Sequence, residues 1–125
     1  PLDRDAIQQV FLNIVLNAID AMKGGGQFRV TSSARRYRSR LAVEVAFADT
    51  GVGIPEEAVD KIFDPFFTTK PAGTGLGLSI SLQIVREHNG RITVRNRSQG
   101  GVTFRLSLPV PAVQGEAREV PGPGR

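Results

Sequence analysis

The sequence predicts an α+β fold, a two-layer α/β sandwich with helices on one face of a mostly antiparallel mixed sheet. Three observations support this. Two segments repeat apolar residues every three or four positions, and four shorter segments alternate them at period two. The order helix, strand, strand, glycine loop, short helix, glycine loop, helix, strand, strand then groups the strands into hairpins separated by helices. At 125 residues the chain suffices for one domain, which at this length buries roughly two thirds of its unfolded surface.

From Asp5 to Met22 the residues Ile7, Val10, Phe11, Ile14, Ala18 and Met22 trace the buried face of a first helix, and Gly24, Gly25 and Gly26 end it. Segments 27–33 and 41–48 read as paired strands through Phe28 and Val30, then Val43, Val45 and Phe47. Ala34 to Arg40 between them is expected to be a solvated hairpin end. Pro55, Glu56 and Glu57 suit the start of a short helical piece. A second long helix runs from Leu76 to His88, with Asn89 and Gly90 as stop signals. His88 reads as a ring that satisfies carbonyls in that helix's last turn. Segments 91–97 and 102–108 form the last hairpin around Gly100 and Gly101, with Ile92, Val94, Val102, Phe104, Leu106 and Leu108 facing the core. Residues 110–125, proline-rich and without periodicity or aromatic residues, are expected to be a disordered tail.

Composition narrows the chemistry. The absence of cysteine excludes a disulfide framework, a thiolate metal site and a thiol nucleophile, and one histidine cannot by itself build a zinc site. No apolar run approaches the roughly 20 residues that span a bilayer. The opening PLDRDAIQQV lacks the features of a secretion signal, so a soluble chain is expected. A net charge of +4 favours anionic ligands but falls short of a dense nucleic-acid-binding stripe.

Several short motifs carry chemistry. Asn13 and Asn17, four residues apart, share one side of the first helix beside the apolar stripe. An asparagine oxygen is a neutral, hard ligand suited to magnesium that already carries phosphate oxygens, although the same pair also fits residues that bond neighbouring backbone. In DTGVGIP, Asp49 ends a buried strand, where a carboxylate can accept from an exocyclic amine, and two glycines admit close approach of a ligand; turn chemistry accounts for it equally well. Gly73-Thr74-Gly75-Leu76-Gly77 leads into the second long helix, whose free N–H groups and dipole favour phosphate, with Lys70 just upstream. It lacks the ending of a P-loop and the βαβ context of a dinucleotide fold. Ile62-Phe63-Asp64-Pro65-Phe66-Phe67 concentrates aromatic residues that serve either as core or as the anchor of a mobile segment.

Together and in this order, QVFLNIVLNAIDAM, DTGVGIP, IFDPFFTTK, GTGLGLSI and GGVTFRLSLP resemble the N, G1, F and G2 boxes and the final strand of sensor histidine kinase catalytic domains. The superfamily also contains the gyrase, heat-shock-ninety and mismatch-repair ATPases. The resemblance covers about residues 2 to 109 and implies an ATP-binding domain of the histidine kinase ATPase type over 1–109. By motif position it implies that Asn17 binds magnesium with Asn13 assisting, and that Asp20 belongs to the same nucleotide site. Asp49 would recognise the adenine amine, and Gly51, Gly53 and Ile54 would line the base pocket. Gly73, Gly75 and Gly77 would wrap the phosphates, with Thr74 and Leu76 in the same loop and Lys70 as a further phosphate contact. Thr103 would lie near the base beside the aspartate. Only Pro71 and Ala72 separate Lys70 from Gly73, a short spacing that resembles the nitrogen-regulation subgroup.

The ATP-hydrolysing cousins carry a glutamate where this sequence has Asn13, so no acid or base in this chain is assigned. Transfer to a histidine needs none here, because the imidazole already presents a lone pair and catalysis rests on positioning and charge neutralisation. The implied function is transfer of the ATP γ-phosphate, with Mg2+, to a histidine on a separate dimerisation domain in two-component signal transduction. His88 does not match that acceptor. The expected partners are that domain and, indirectly, a response regulator, with no nucleic acid and no membrane contact. The expected state is a cytoplasmic monomer, whether or not the parent protein is membrane-anchored. The alternatives are a nucleotide-binding regulatory module without transfer activity and a nucleic-acid-binding domain built on Arg35, Arg36, Arg38 and Arg40.

Overall fold

The computed structural model describes residues 3–37, 40–67 and 77–110. Helices α1 (Arg4–Ala21) and α2 (Gly77–Glu87) pack on a four-stranded sheet of β1 (Phe28–Tyr37), β2 (Arg40–Asp49), β3 (Arg91–Asn96) and β4 (Val102–Val110), in the order β1-β2-β4-β3. A 3-10 helix, Glu56–Lys61, lies between β2 and α2 in sequence. All three strand pairings are antiparallel, so the parallel component of the expected mixed sheet is not among the described residues.

Both helices end where their sequences signal. The Asp3 carboxylate accepts from the Ala6 N–H and caps α1, satisfying a donor that has no partner within the helix. Gly25, at φ 103°, donates to the Met22 carbonyl and turns the chain away after α1. At the end of α2, Asn89 takes a left-handed φ of 60° and the Gly90 N–H donates to the Val85 carbonyl. A Cβ on Gly90 would lie 2.5 Å from the Ser107 carbonyl oxygen, so glycine also lets this turn rest on β4.

His88 Nδ1 lies 2.8 Å from the Ile84 carbonyl, the capping role read from the sequence. Its Nε2 accepts from the backbone N–H of Asp3 at 3.0 Å. These two contacts together place the ring proton on Nδ1 and tie the end of α2 to the start of α1.

The core forms where the helix and strand periods meet. Val10, Ile14 and Ala18 from α1 and Val85 from α2 bury against Val45 and Phe47 of β2, Ile92 of β3, and Val102, Phe104, Leu106 and Leu108 of β4. Phe47, 2% exposed, meets Phe11 edge-on at 5.2 Å between ring centroids. Burying such a ring is worth about 2 kcal/mol by area alone.

Two expectations are corrected. The arginine-rich stretch from Ala34 is the far end of the hairpin, as read, but its strands run further than expected: β1 and β2 stay paired through it, with Ala34 opposite Val43, Arg35 opposite Ala42, Arg36 opposite Leu41 and Tyr37 opposite Arg40. The backbone ladder is indifferent to side-chain charge, and Glu44 receives Arg35 at 3.6 Å and Arg105 at 4.0 Å. Arg38 lies outside the described residues. Val110, read as the first residue of the tail, is still in β4 and pairs with Leu41; residues 111–125 lie outside the described residues.

Among the described residues, strands β1 and β3 are the two edges of the sheet. β1 carries Arg29, Arg35 and Arg36, β3 carries Arg91 and Arg95, and neither strand holds an acidic residue.

Candidate functional site

A groove of about 1020 Å³ opens between α1, the loop after β2 and the start of α2. Asn13, Asn17 and Asp20 line it from α1, Asp49, Gly51, Gly53 and Ile54 from the loop, and Gly77 from α2. The structure thus gathers these predicted positions from three separate stretches of chain. Lys70, Gly73, Thr74, Gly75 and Leu76 lie outside the described residues, as does the short spacing on which the subgroup resemblance rests.

Asp49 forms the floor. It is the last residue of β2 and is only 4% exposed. Its Oδ1 accepts from the Gly51 N–H at 2.8 Å and the Val102 N–H at 3.3 Å, so Oδ2 is the acceptor left to face a ligand donor. Arg97 donates through Nη1 to the backbone carbonyls of Asp49 at 3.1 Å and Gly100 at 3.2 Å, fixing the strand end from below. Gly101 completes the support: at φ 92°, with a hypothetical Cβ 1.9 Å from the Asp49 carbonyl oxygen, only glycine fits there.

The loop 50–55 is anchored at both ends. Thr50 exchanges bonds with Gln27, accepting at Oγ1 from its N–H and donating its own N–H to its carbonyl. Val52 N–H donates to the Ala21 carbonyl, and Gly51 lies so close to α1 that a Cβ would come within 2.5 Å of the same oxygen. At the other end the Asn96 side chain clamps one residue: Oδ1 accepts from the Ile54 N–H at 2.8 Å and Nδ2 donates to the Ile54 carbonyl at 2.7 Å. The turn between, with Gly53 at φ 79°, is held as a fixed wall of the groove.

On the opposite wall Asn13 joins the two helices. Its Nδ2 donates to the Gly77 carbonyl and to Ser81 Oγ, both at 3.0 Å, and its Oδ1 accepts from Gln9 Nε2 at 2.9 Å. The aromatic segment divides its work: Phe63 meets Phe104 edge-on at 6.4 Å, Phe67 lines the groove, and Phe66 is 72% exposed.

One predicted position is displaced. Val102, rather than Thr103, lines the groove beside Asp49. Side chains alternate along a strand, and Val102 shares its face with buried Phe104, Leu106 and Leu108, which turns Thr103 to the other face of the sheet. That alternation was the signal that could have found Val102. Asn96 and Arg97 went unrecognised as supports of the site, and no spacing in the sequence links either to residues more than forty positions away.

The donor set suits a particular guest. Among the described residues no three His, Cys, Asp or Glu side chains cluster as a metal site. The Asn13 amide oxygen is a neutral, hard donor of the kind that fits a cation already carrying phosphate oxygens. A buried carboxylate at one end and a helix start at the other fit an amine-bearing ring and its phosphate chain.

The histidine kinase-, DNA gyrase B-, and HSP90-like ATPase family model matches residues 2–112. The sensor histidine kinase ZraS of Escherichia coli is 44% identical over 108 residues, covering 86% of this chain and 22% of that protein. The catalytic domain of histidine kinase ThkA superposes with a TM-score of 0.74 at 45% identity, covering 86% of this chain and 68% of that one. Full-length ShkA in complex with AMPPNP superposes with a TM-score of 0.73 at 28% identity, covering 87% of this chain and 22% of that one. The chain thus spans about a fifth of the length of full sensor kinases such as ZraS.

Proposed function

The chain belongs to the histidine kinase-, DNA gyrase B- and HSP90-like ATPase family, within it to the histidine kinase catalytic domains, and on that premise we propose that it binds Mg-ATP in the groove and presents the γ-phosphate to a histidine on a separate dimerisation domain. The observation that carries the proposal is Asp49, a carboxylate buried at the groove floor with Oδ1 committed to Gly51 and Val102. Oδ2 accepts from the adenine amine, while Gly51, Gly53 and Ile54 line the base. Asn17, assisted by Asn13, holds magnesium, which when bound supplies charge neutralisation on the phosphates.

The chain's own contribution is positional. The clamp on Ile54 and the anchored loop fix the base, so the phosphate end is set by geometry rather than by search. Gly77, the first described residue of α2, lines the groove, where the positive end of the helix dipole favours phosphate oxygens. Asn13 stands where a carboxylate would activate water, and an amide cannot accept that proton, which favours transfer over hydrolysis. The neighbour ShkA carries AMPPNP, and ThkA has been seen in complex with the response regulator TrrA. By extension we assign this chain a cytoplasmic setting, a histidine-bearing domain as direct partner and a response regulator as indirect one. Among the described residues no helix is long and apolar enough to cross a membrane.

Calorimetric titration of the chain with an unhydrolysable ATP analogue, with and without magnesium, tests the binding step. Labelled ATP with an added histidine-bearing dimerisation domain tests transfer. Saturable magnesium-dependent binding and an acid-labile phosphohistidine are expected. Absence of binding at millimolar analogue overturns the reading, and binding without transfer reduces it to a nucleotide-binding regulatory module.

A further inference from the structure

We infer that Ser81 is a positioning residue for the metal-bound nucleotide: its buried hydroxyl locks the Asn13 amide so that Oδ1, and not the NH2 group, faces the cation. The inference rests on the nucleotide reading above and adds to it a residue from the opposite helix.

Ser81 and Asp49 are the two buried polar side chains among the described residues, and Ser81 is 0% exposed. A hydroxyl at a core-facing position of α2 costs stability unless both its donor and acceptor capacities are used. Both are: Oγ–H donates to the Gly77 carbonyl at 3.0 Å, and Oγ accepts from Asn13 Nδ2 at 3.0 Å. The Asn13 amide also donates to the Gly77 carbonyl at 3.0 Å, closing a ring of three groups across the two helices.

The ring determines which way the amide points. A carbonyl oxygen only accepts, so the group facing Gly77 must be NH2; turning the amide over would set Oδ1 against the Gly77 oxygen, acceptor to acceptor. Gly77 alone engages one of the two amide hydrogens, and Ser81 engages the second. Oδ1 is thereby left outside the ring of three groups. One of its lone pairs takes Gln9 Nε2, and the other remains for a hard cation. An inverted amide would offer its hydrogens to the metal instead. Because Gly77 begins α2 at the groove, the same ring couples the ligand's orientation to the start of that helix.

The test titrates the full chain and its Ser81→Ala variant with the unhydrolysable ATP analogue, in magnesium and in EDTA. Loss of a group that orients a metal ligand is expected to reduce the magnesium-specific gain in affinity about tenfold. Affinity in EDTA should change less than about twofold, and Ser81→Ala should add nothing further in an Asn13→Ala background. Ser81→Cys, nearly the same size but a weak donor and acceptor, keeps the core filled and should lose part of the same gain.

Equal losses with and without magnesium, or additive losses in the double variant, overturn the role and leave Ser81 a purely structural group. Wild-type protein that gains nothing from magnesium refutes the metal-nucleotide reading itself and the Ser81 role with it. A magnesium gain present in wild type and undiminished in both Ser81 variants refutes Ser81 alone.

Discussion

Asp49→Asn exchanges one carboxylate oxygen for an NH2 group with almost no change of shape, and the hydrogen bonds at the groove floor dictate the outcome. Oδ1 accepts from Gly51 and Val102, so the asparagine keeps its carbonyl oxygen there and its NH2 takes the place of Oδ2. The groove then meets the adenine amine with a donor instead of an acceptor. If the amide turns over to accept from adenine, the Gly51 and Val102 N–H groups face an NH2 and lose their acceptor. The first arrangement forfeits a charge-assisted bond and the second orphans one part-buried and one buried donor, so either costs about 2 kcal/mol or more. That corresponds to roughly a 30-fold rise in Kd.

Calorimetry with an unhydrolysable ATP analogue reads the loss, and the same analogue built on purine without the exocyclic amine isolates its source. Wild type should prefer the amine-bearing ligand, and Asp49→Asn should erase that preference. Unchanged melting temperature confirms that the retained oxygen still holds Gly51 and Val102. A loss below roughly 0.5 kcal/mol, or a preference for the amine that survives the substitution, refutes adenine recognition by Asp49.

Other substitutions probe the walls. Asn17→Ala should weaken analogue binding about tenfold in magnesium and less than twofold in EDTA; equal losses in the two titrations would remove Asn17 from the metal shell. Asn96→Ala breaks both bonds to Ile54 and should lower stability by about 2 kcal/mol, at about 1 kcal/mol per bond. A urea midpoint at the wild-type value would show the clamp to be idle. Gly101→Ala places a Cβ against the Asp49 carbonyl at a positive φ, and a cost of about 3 kcal/mol or more is expected in urea. Gly100→Ala is its control, since Gly100 has a similar φ of 103° but open space around it, and conformational strain alone should cost about 1 kcal/mol. Equal costs for the two would mean that the close approach to Asp49 carries no weight.

What the sequence revealed was whatever depends on neighbours along the chain. The apolar face of α1, the Asn89-Gly90 stop and the inward run Val102, Phe104, Leu106, Leu108 are local periodicities, and each is where it was expected. The groove's Asn13, Asp49 and Gly53 were legible because each sits in a short motif whose residue types suit a ligand. The extension of β1 through Arg35 and Arg36 was not legible, since pairing with β2 sustains a strand there regardless of side-chain polarity. Nor was the pairing of β2 with β4, a choice of partner made by packing rather than by spacing. The Asn96 clamp and the Ser81 ring follow only from that pairing and from the contact between α1 and α2. Thr103 shows the reverse case, where alternation already placed its neighbour Val102 on the groove side and resemblance pointed one residue too far.

The arginines on the two edge strands also bear on how copies of the protein meet in concentrated solution. An exposed edge offers unpaired N–H and C=O groups to any strand that approaches. Here a second copy would bring Arg29 and Arg36, or Arg91 and Arg95, against arginines of its own, with no acidic side chain on either strand to offset them, while Arg35 is partly offset by Glu44 of β2. The resulting repulsion acts over a distance of about 10 Å at 0.1 M salt and shrinks to about 3 Å at 1 M. Colloidal stability is therefore greatest in dilute buffer, and salting would promote growth of the sheet from one molecule into the next.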